Sequence, residues 1–238
     1  RLRLETGLHR ALERNEFSLH YQPQINLRSG CIAGVEALLR WAPEGEASIS
    51  PAEFIPLLEE SGLVVEVGAW VLREACHQCV QWQQQGFGNL RISVNISVSQ
   101  FMRSDLEQTV RQTLKETGLA PGMLCLELTE SMLMQDSEKT MLKLAALHDT
   151  GTVISLDDFG TGFSSLEYLG RLPLRELKID RTFVQRMLNT PNDAAVVNPI
   201  IAMAEGLNLE LVAEGVETVE QLQSLRAKKC EKIGRAHV

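Results

Sequence analysis

Six apolar segments of the sequence each carry a side chain that can bind a cation or move a proton, in most cases at or near the end of the segment. The segments read VEALLRW, ISVNIS, CLELTE, ISLDD, LKID and LVAEGVE. Their polar residues are Glu36, Asn95, Glu127, Glu130, Asp157, Asp158, Lys178, Asp180, Glu214 and Glu217. Carboxylates gathered without cations would repel one another and raise their own pKa values, with no structural benefit. Because oxygen donors without clustered histidines suit hard cations, these residues predict a site for Mg²⁺ or Mn²⁺ rather than Zn²⁺.

A single acid after an apolar strand is most often a helix N-cap or a solvated loop residue, and each of these residues alone would fit that interpretation. Their regular spacing favours another one. Asn95 and Glu127 are 32 residues apart, Glu127 and Asp157 are 30 apart, and Lys178 and Glu214 are 36 apart. Each interval is about the length of one strand, one helix and a return. In a barrel of parallel strands such positions converge on the C-terminal rim, where these folds hold their active sites.

The stretch VISLDDFGTGFSSL, residues 153–166, places two aspartates side by side before a glycine-rich loop. Neighbouring side chains of a strand point to opposite faces, so Asp157 and Asp158 both reach one site only where the strand ends and the backbone turns. Asp157 can then bridge two metal ions while Asp158 binds one of them. Gly160 and Gly162 permit a positive φ, and the serines after them can cap a following helix. We therefore expect this loop to lie over the metals and to move when substrate arrives.

Strand-like and helix-like segments alternate along the chain, which favours a parallel sheet covered by helices. Apolar, β-branched runs predict strands at Phe17–Tyr21, Cys31–Leu39, Leu90–Ile96, Met123–Leu128, Thr152–Leu156, Glu176–Ile179 and Leu209–Ala213. Amphipathic segments predict helices at Asp105–Thr117, Ser137–Asp149 and Asp193–Glu205. No linker rich in Pro, Gly or Ser divides the chain, so we predict one domain.

Length and composition exclude several classes of protein. The 238 residues are 44% hydrophobic, enough for a large core, and the formal charge of −8 disfavours a binder of nucleic-acid polymers. No apolar run approaches the roughly 20 residues of a membrane span. The five cysteines predict neither a disulfide framework nor a zinc site, and Cys76 and Cys79 are interpreted as ordinary helix residues. We therefore expect a cytoplasmic domain with no membrane contact of its own.

Eight motifs give the sequence a resemblance to a known family. They read FSLHYQP, GVEALLRW, SPAEFIPLLEESGL, VNIS, LELTES, LDDFGTGFSSLEYL, LKIDRTFV and VAEGVET. In order and spacing they resemble the EAL-domain family of cyclic di-GMP phosphodiesterases, over essentially Leu4 to Cys230. A Glu-Ala-Leu triplet alone would not indicate the family. Glu36-Ala37-Leu38 is informative because the other motifs lie at the positions where the family has them.

The resemblance implies a TIM-like (β/α)8 barrel with a modified early strand order. It also implies hydrolysis of one phosphodiester bond of cyclic di-GMP to linear pGpG by a two-metal mechanism with two Mg²⁺ or Mn²⁺ ions. By matching position, the first metal would be bound by Glu36, Asn95, Glu127 and Asp157, and the second by Asp157, Asp158 and Glu214.

The remaining roles are also implied by the resemblance. Lys178 would orient or help deprotonate the attacking water, and Asp180 would support it. Glu130 would hold the loop after Asp158 through its backbone. The catalytic residues would thus be Lys178, Glu214, Asp180 and Glu130, and substrate contacts would come from Gln22, Leu38 and Arg40.

Two other functions stay open on the sequence alone. One is a non-catalytic receptor for cyclic di-GMP. The intact Glu36, Asp157, Asp158, Lys178 and Glu214 argue against it. The other is a different Mg²⁺-dependent barrel enzyme, which would not explain Asn95 together with two adjacent aspartates. Histidine catalysis is disfavoured because all five histidines lie outside the strand-end motifs.

The expected partners follow from the resemblance. Cyclic di-GMP is the expected ligand, and a homodimer is a candidate assembly. A longer native chain would carry sensor or GGDEF-type domains, and any membrane anchor would belong to such missing segments.

The end of the sequence departs from the family. After Cys230 the family would continue into a last barrel strand and a closing helix, whereas residues 233–238, IGRAHV, look like a translated sequencing adapter. We therefore predict an EAL domain over residues 1–232, truncated before the last strand and helix, and a non-native tail at 233–238. The Leu209–Ala213 strand should then lie at an open gap beside the first strand.

Overall fold

The computed structural model describes residues 2–45, 47–133, 137–160, 169–188 and 191–234. Within these ranges the strands are β1 (Phe17–Asn26), β2 (Ile32–Trp41), β3 (Arg91–Asn95), β4 (Leu124–Thr129), β5 (Val153–Phe159), β6 (Glu176–Ile179), β7 (Glu210–Glu214) and β8 (Lys232–Gly234). The α-helices are α1 (Leu2–Ala11), α2 (Pro51–Ser61), α3 (Val64–Trp82), α4 (Val98–Arg103), α5 (Leu106–Thr117), α6 (Glu130–Leu133), α7 (Ser137–His148), α8 (Arg181–Arg186), α9 (Pro191–Gly206) and α10 (Val219–Ala227). A π-helical turn, Gln83–Phe87, extends α3.

The strands form one closed barrel in which neighbours follow in chain order. From β2 to β8 each strand runs parallel to the next, whereas β1 is antiparallel to both β2 and β8. An antiparallel pair needs only a short connection. The side chain of Asn26 closes that connection by accepting hydrogen bonds from the backbone N–H groups of Arg28 and Ser29. The TIM-like barrel is confirmed; its early strands keep their sequential order, and the modification is the reversed direction of β1.

Predicted and observed elements agree closely for β6 and α5. β6 spans the predicted residues, Glu176–Ile179, and its four side chains are all buried. Its two charged residues, Glu176 and Lys178, can be buried because each contacts groups of opposite charge. The helix predicted at Asp105–Thr117 begins one residue later because Asp105 is its N-cap and accepts from Gln108 N at 3.3 Å. It ends at Gly118, which adopts the left-handed conformation typical of a C-cap.

The barrel is closed by β8, where the sequence predicted an open gap. Lys232, Ile233 and Gly234 pair with Asn26, Ile25 and Gln24 of β1 on one side. On the other side the same three residues pair with Val212, Ala213 and Glu214 of β7. The prediction that the chain is truncated before the last strand is therefore wrong. Residues 235–238 lie outside the described ranges, so the non-native tail at 233–238 and the missing closing helix stay predictions.

A layer of paired charges at the N-terminal end of the barrel explains why a strand with a lysine can be buried. Lys232 Nζ lies 3.0 Å from Glu176 Oε2 and 2.6 Å from Glu210 Oε2. Arg91 Nη1 lies 3.3 and 3.1 Å from the same two oxygens. Although partial burial acts to raise it, the hydrogen bond and charge of Lys232 and the charge of Arg91 lower the pKa of Glu210 to about 2. β8 does not read as an apolar strand in the sequence, because it contains a lysine. That lysine can be buried because two carboxylates pair with it.

Cys76 and Cys79 are buried free thiols within α3, so their interpretation as helix residues is confirmed. Among the described helices, none has the length and apolar character needed to cross a membrane.

Candidate active site

The carboxyl ends of the parallel strands bring most of the predicted residues to one rim of the barrel. Register places Asn95 of β3 opposite Glu127 of β4, and Thr129 of β4 opposite Asp157 of β5. Glu36 of β2, Lys178 of β6 and Glu214 of β7 join them, and the four acids are all nearly buried. Asn95 is exposed and donates from Nδ2 to Glu36 Oε1 at 2.9 Å.

Lys178 occupies the centre of this group. Its Nζ lies 2.8 Å from Glu214 Oε1, 2.9 Å from Glu127 Oε2, 3.2 Å from Asp157 Oδ2 and 3.5 Å from Glu36 Oε2. The lysine side chain is only 1% exposed. Four carboxylates from four strands thus converge on one ammonium group, and we call these five residues the lysine cluster.

The charges of the lysine cluster perturb one another strongly. Burial by itself would lower the pKa of Lys178, but the carboxylates of Glu127, Asp157, Glu36 and Glu214 outweigh burial and hold it well above its usual value. Burial raises the pKa of Glu127 far above normal despite Lys178, with Glu36 and Asp157 adding to the effect. Burial likewise raises the pKa of Glu214. One ammonium therefore offsets only part of the negative charge gathered here.

The adjacent aspartates reach the site by a bulge rather than by the end of the strand. β5 continues to Phe159, and its pairing with β6 shifts register between Leu156 and Phe159. Asp158 has φ +55°, a left-handed conformation that Asp tolerates better than most residues. This conformation changes the direction of the chain, so Asp157 is buried in the lysine cluster while Asp158 is exposed on the rim. The prediction that the strand ends at these residues is therefore wrong, and a turn of the backbone within the strand takes its place.

Glu130 contacts the backbone just after Asp158. Its Oε2 accepts a hydrogen bond from Gly160 N at 3.1 Å, at the start of the loop after Asp158. Gly160 has φ +97°, and a Cβ there would come within 2.9 Å of the Phe183 ring. The glycine is thus required both by backbone conformation and by space. Gly162 and the serines of the predicted loop lie outside the described residues.

A cavity of about 500 Å³ opens above the lysine cluster. Its lining includes Glu36, Leu38 and Arg40 of β2, and also Asp157, Asp158 and Glu214. Apolar residues of α2 and α3 complete it: Pro51, Ile55, Leu58, Val64, Val67 and Val71. A concave site of this size with an apolar wall and few polar groups is typical of a small-molecule site.

Several predicted residues lie away from the centre. Gln22 does not line the cavity, although β1–β2 register places it opposite Glu36. Arg40 Nη1 donates to the carbonyl of Leu39 at 2.8 Å. Asp180 caps α8 by accepting from Thr182 N at 2.9 Å, and the structure does not place it among the described partners of Lys178.

The side chains around Lys178 offer the oxygen donors that a divalent cation needs. Acid and amide oxygens are the ligands that Mg²⁺ and Mn²⁺ prefer, and Glu127 Oε1 is buried without a hydrogen-bond partner among the described residues. Within the described ranges, no three acid, cysteine or histidine side chains stand around one point at metal-ligand spacing, since the oxygens face Lys178 Nζ. By chemistry and excess negative charge, the residues fit hard divalent cations.

Sequence reasoning missed one glycine that helps to place Glu214. Gly215 follows the strand end with φ +69°, and a Cβ there would lie 2.5 Å from Arg181 Cβ of α8. Only glycine allows this close approach together with a left-handed backbone. The Ala-Glu-Gly order after an apolar strand was the available signal.

A sequence profile for the EAL domain matches residues 6–233. The chain belongs to the EAL-domain family. Its sequence is 45% identical over 232 residues to the bifunctional diguanylate cyclase/cyclic di-GMP phosphodiesterase MucR of Pseudomonas aeruginosa, covering 98% of this chain and 34% of MucR. It is 41% identical to the cyclic di-GMP phosphodiesterase NbdA of the same organism, covering 98% of this chain and 30% of NbdA. The chain thus spans about a third of the length of these relatives.

A solved structure shows the same architecture. The structure of the PaMucR phosphodiesterase in complex with c-di-GMP superimposes with a TM-score of 0.94 at 45% identity. The match covers 98% of this chain and 94% of that one. The barrel is therefore that of the EAL family.

Proposed function

We propose that this chain hydrolyses one phosphodiester bond of cyclic di-GMP to linear pGpG with the help of divalent cations. The lysine cluster at the floor of the cavity is the observation that carries the proposal. Four buried carboxylates share one lysine, so part of their negative charge is uncompensated, and burying uncompensated charge costs free energy. This excess favours a site for cations over a purely structural role. The similarity to MucR and NbdA supports cyclic di-GMP as the substrate.

The cations would be Mg²⁺ or Mn²⁺, two per site. Glu36, Asn95, Glu127 and Asp157 would hold the first, and Asp157, Asp158 and Glu214 the second. When bound, such ions lower the pKa of a water molecule and offset the charge of the phosphate.

The chain's own residues would bind and position the reactants. Lys178 lies within hydrogen-bond distance of Glu127, Asp157 and Glu214, so its ammonium can orient the attacking water or donate a hydrogen bond beside the phosphate. Arg40 and Leu38, on the wall of the cavity, would contact the dinucleotide. Gln22 and Asp180 keep their predicted roles as proposals, in substrate binding and in support of Lys178.

The test is incubation of the purified chain with cyclic di-GMP and Mg²⁺ or Mn²⁺, followed by chromatographic separation of the nucleotides. We expect linear pGpG to appear and EDTA to abolish it. Glu36→Gln should lower the rate by about a hundredfold or more. Glu138→Gln, which changes an exposed acid of α7, should not.

Binding of cyclic di-GMP without any pGpG would overturn hydrolysis and favour a receptor. Absence of binding would overturn both functions. A homodimer, a cytoplasmic location and sensor or GGDEF-type partner domains stay proposals for the whole protein.

A further inference from the structure

Gly68 lies in the second turn of α3, inside the helix, where glycine is among the least favourable residues. It belongs to the buried face of α3 and also lines the cavity. A Cβ at this position would lie 1.9 Å from Gln100 Nε2, 2.3 Å from its Cδ and 2.6 Å from its Oε1. The carboxamide of Gln100, from α4, therefore fills the space that any other residue at position 68 would need.

Gln100 is not free to move aside. It is 4% exposed and forms a capping box with Ser97 at the start of α4. Its Oε1 accepts from Ser97 N at 3.2 Å and from Ser97 Oγ at 3.1 Å. In return, Ser97 Oγ accepts from Gln100 N at 3.1 Å. Rotating the carboxamide away from α3 would break the first two of these hydrogen bonds and loosen the start of the helix.

The start of α4 is joined directly to the candidate metal site. Asn95 precedes Ser97 by two residues and donates to Glu36 Oε1 at 2.9 Å. Ile96 N donates to the carbonyl of Glu127 at 3.0 Å. The capping box thus fixes the backbone two residues beyond Asn95, a proposed metal ligand, so a displacement at Ser97 would be transmitted to Asn95.

We propose that Gly68 and Gln100 form a positioning pair that sets the place of Asn95 in the site. α3 carries a glycine so that the carboxamide of Gln100 can lie against its backbone and complete the capping box at the same time. For its catalytic consequence, the inference rests on the proposed function. Neither residue is assigned a contact with the reacting atoms.

The test is a double-mutant cycle of Gly68→Ala, Gln100→Ala and the double variant. For each protein we would measure pGpG production, Mn²⁺ affinity by calorimetry and the melting temperature. Gly206→Ala is the matched control, because it adds the same methyl group to a helix where nothing lies within 4 Å.

Gly68→Ala should weaken Mn²⁺ binding and lower kcat by roughly tenfold or more, since it displaces a residue that positions a ligand. Gln100→Ala should lower Mn²⁺ affinity and kcat less than Gly68→Ala does, because it removes the capping box without pushing α4 away from α3. The double variant should be no worse than Gln100→Ala, since the clash is gone. Gly206→Ala should bind Mn²⁺ like the unchanged protein.

Wild-type Mn²⁺ affinity in Gly68→Ala, or losses that simply add in the double variant, would overturn the positioning pair. If Gly68→Ala does not fold, recovery of folding and Mn²⁺ binding in the double variant supports the pair, and failure to recover overturns it. If the unchanged protein binds Mn²⁺ but produces no pGpG, only the proposed function is refuted. The Mn²⁺ affinities and melting temperatures of the variants then still decide whether Gly68 and Gln100 form a positioning pair. If the unchanged protein binds no Mn²⁺, the inference fails with the metal site.

Discussion

At the scale of single residues, the central feature is a lysine held by four acids from four different strands. Asp157 has the most demanding position, because it contacts Lys178 at 3.2 Å and its Oδ1 also accepts from Asp158 N at 2.8 Å. It is the proposed ligand of both cations, whereas Arg40 lies on the cavity wall and would contact only substrate. The two residues should therefore fail in different ways when changed.

Asp157→Asn should lower kcat on the order of a thousandfold and weaken Mn²⁺ binding, because an amide cannot supply the charge needed between two cations. Arg40→Ala should chiefly raise KM and leave Mn²⁺ affinity unchanged. Steady-state kinetics and calorimetry on both variants check this. A near-native kcat for Asp157→Asn would remove the bridging role.

The strand-end acids could be found in the sequence because their spacing follows the strand-helix repeat. Their contacts could not. Lys178 was expected to work with Asp180, yet the structure surrounds it with Glu36, Glu127, Asp157 and Glu214, because the closure of the barrel decides which strand ends face one another. Gly68 was missed for a similar reason, since its partner Gln100 lies on a different helix.

At the scale of elements, β5 shows how a local conformation changes the direction of a strand. The apolar run up to Leu156 predicted a strand, but nothing in the sequence alone distinguishes a strand end at Asp157 from a bulge with Asp158 at positive φ. Beyond the bulge, Gly160 N is held by Glu130 at the start of α6. One carboxylate thus ties the end of β5 to the helix that follows β4.

Glu130→Ala should release the Gly160 amide and lower turnover while leaving the proposed ligands of the first cation in place. We expect hydrogen exchange at Gly160 to accelerate by at least about tenfold, since its acceptor is lost. Mass spectrometry of exchanged peptides and Mn²⁺ calorimetry check the two parts. The matched control is Glu138→Ala on the exposed face of α7.

A loss of Mn²⁺ binding in Glu130→Ala as large as that in Glu127→Ala would make Glu130 a metal ligand. Unchanged exchange at Gly160 would show that the hydrogen bond does not hold the end of β5. Either result would contradict the role given to Glu130 here.

At the scale of the whole molecule, closure depends on a strand of only three residues. A closed barrel leaves no unpaired strand edge, and β8 provides this by pairing with β1 and β7 at once. The sequence did not predict it, because β8 is only three residues long and Ile233 is its one large apolar residue, so the segment after Cys230 lacks the apolar run of a buried strand. The charge layer of Glu176, Glu210 and Arg91 makes Lys232 acceptable in the interior.

Lys232→Met should therefore destabilise the protein although it makes the strand more apolar. Without the ammonium, Glu176, which is 1% exposed, keeps only Arg91 and a weak contact from the Cys125 thiol as described partners. Breaking a buried pair by removing one partner costs about 3 kcal/mol. Urea unfolding should show a decrease of that order in the free energy of unfolding, whereas Lys115→Met on the exposed face of α5 should decrease it far less. Combining Lys232→Met with Glu176→Gln should recover part of the loss, because the uncompensated charge is then gone; an undiminished loss would show that β8 does not depend on this charge layer.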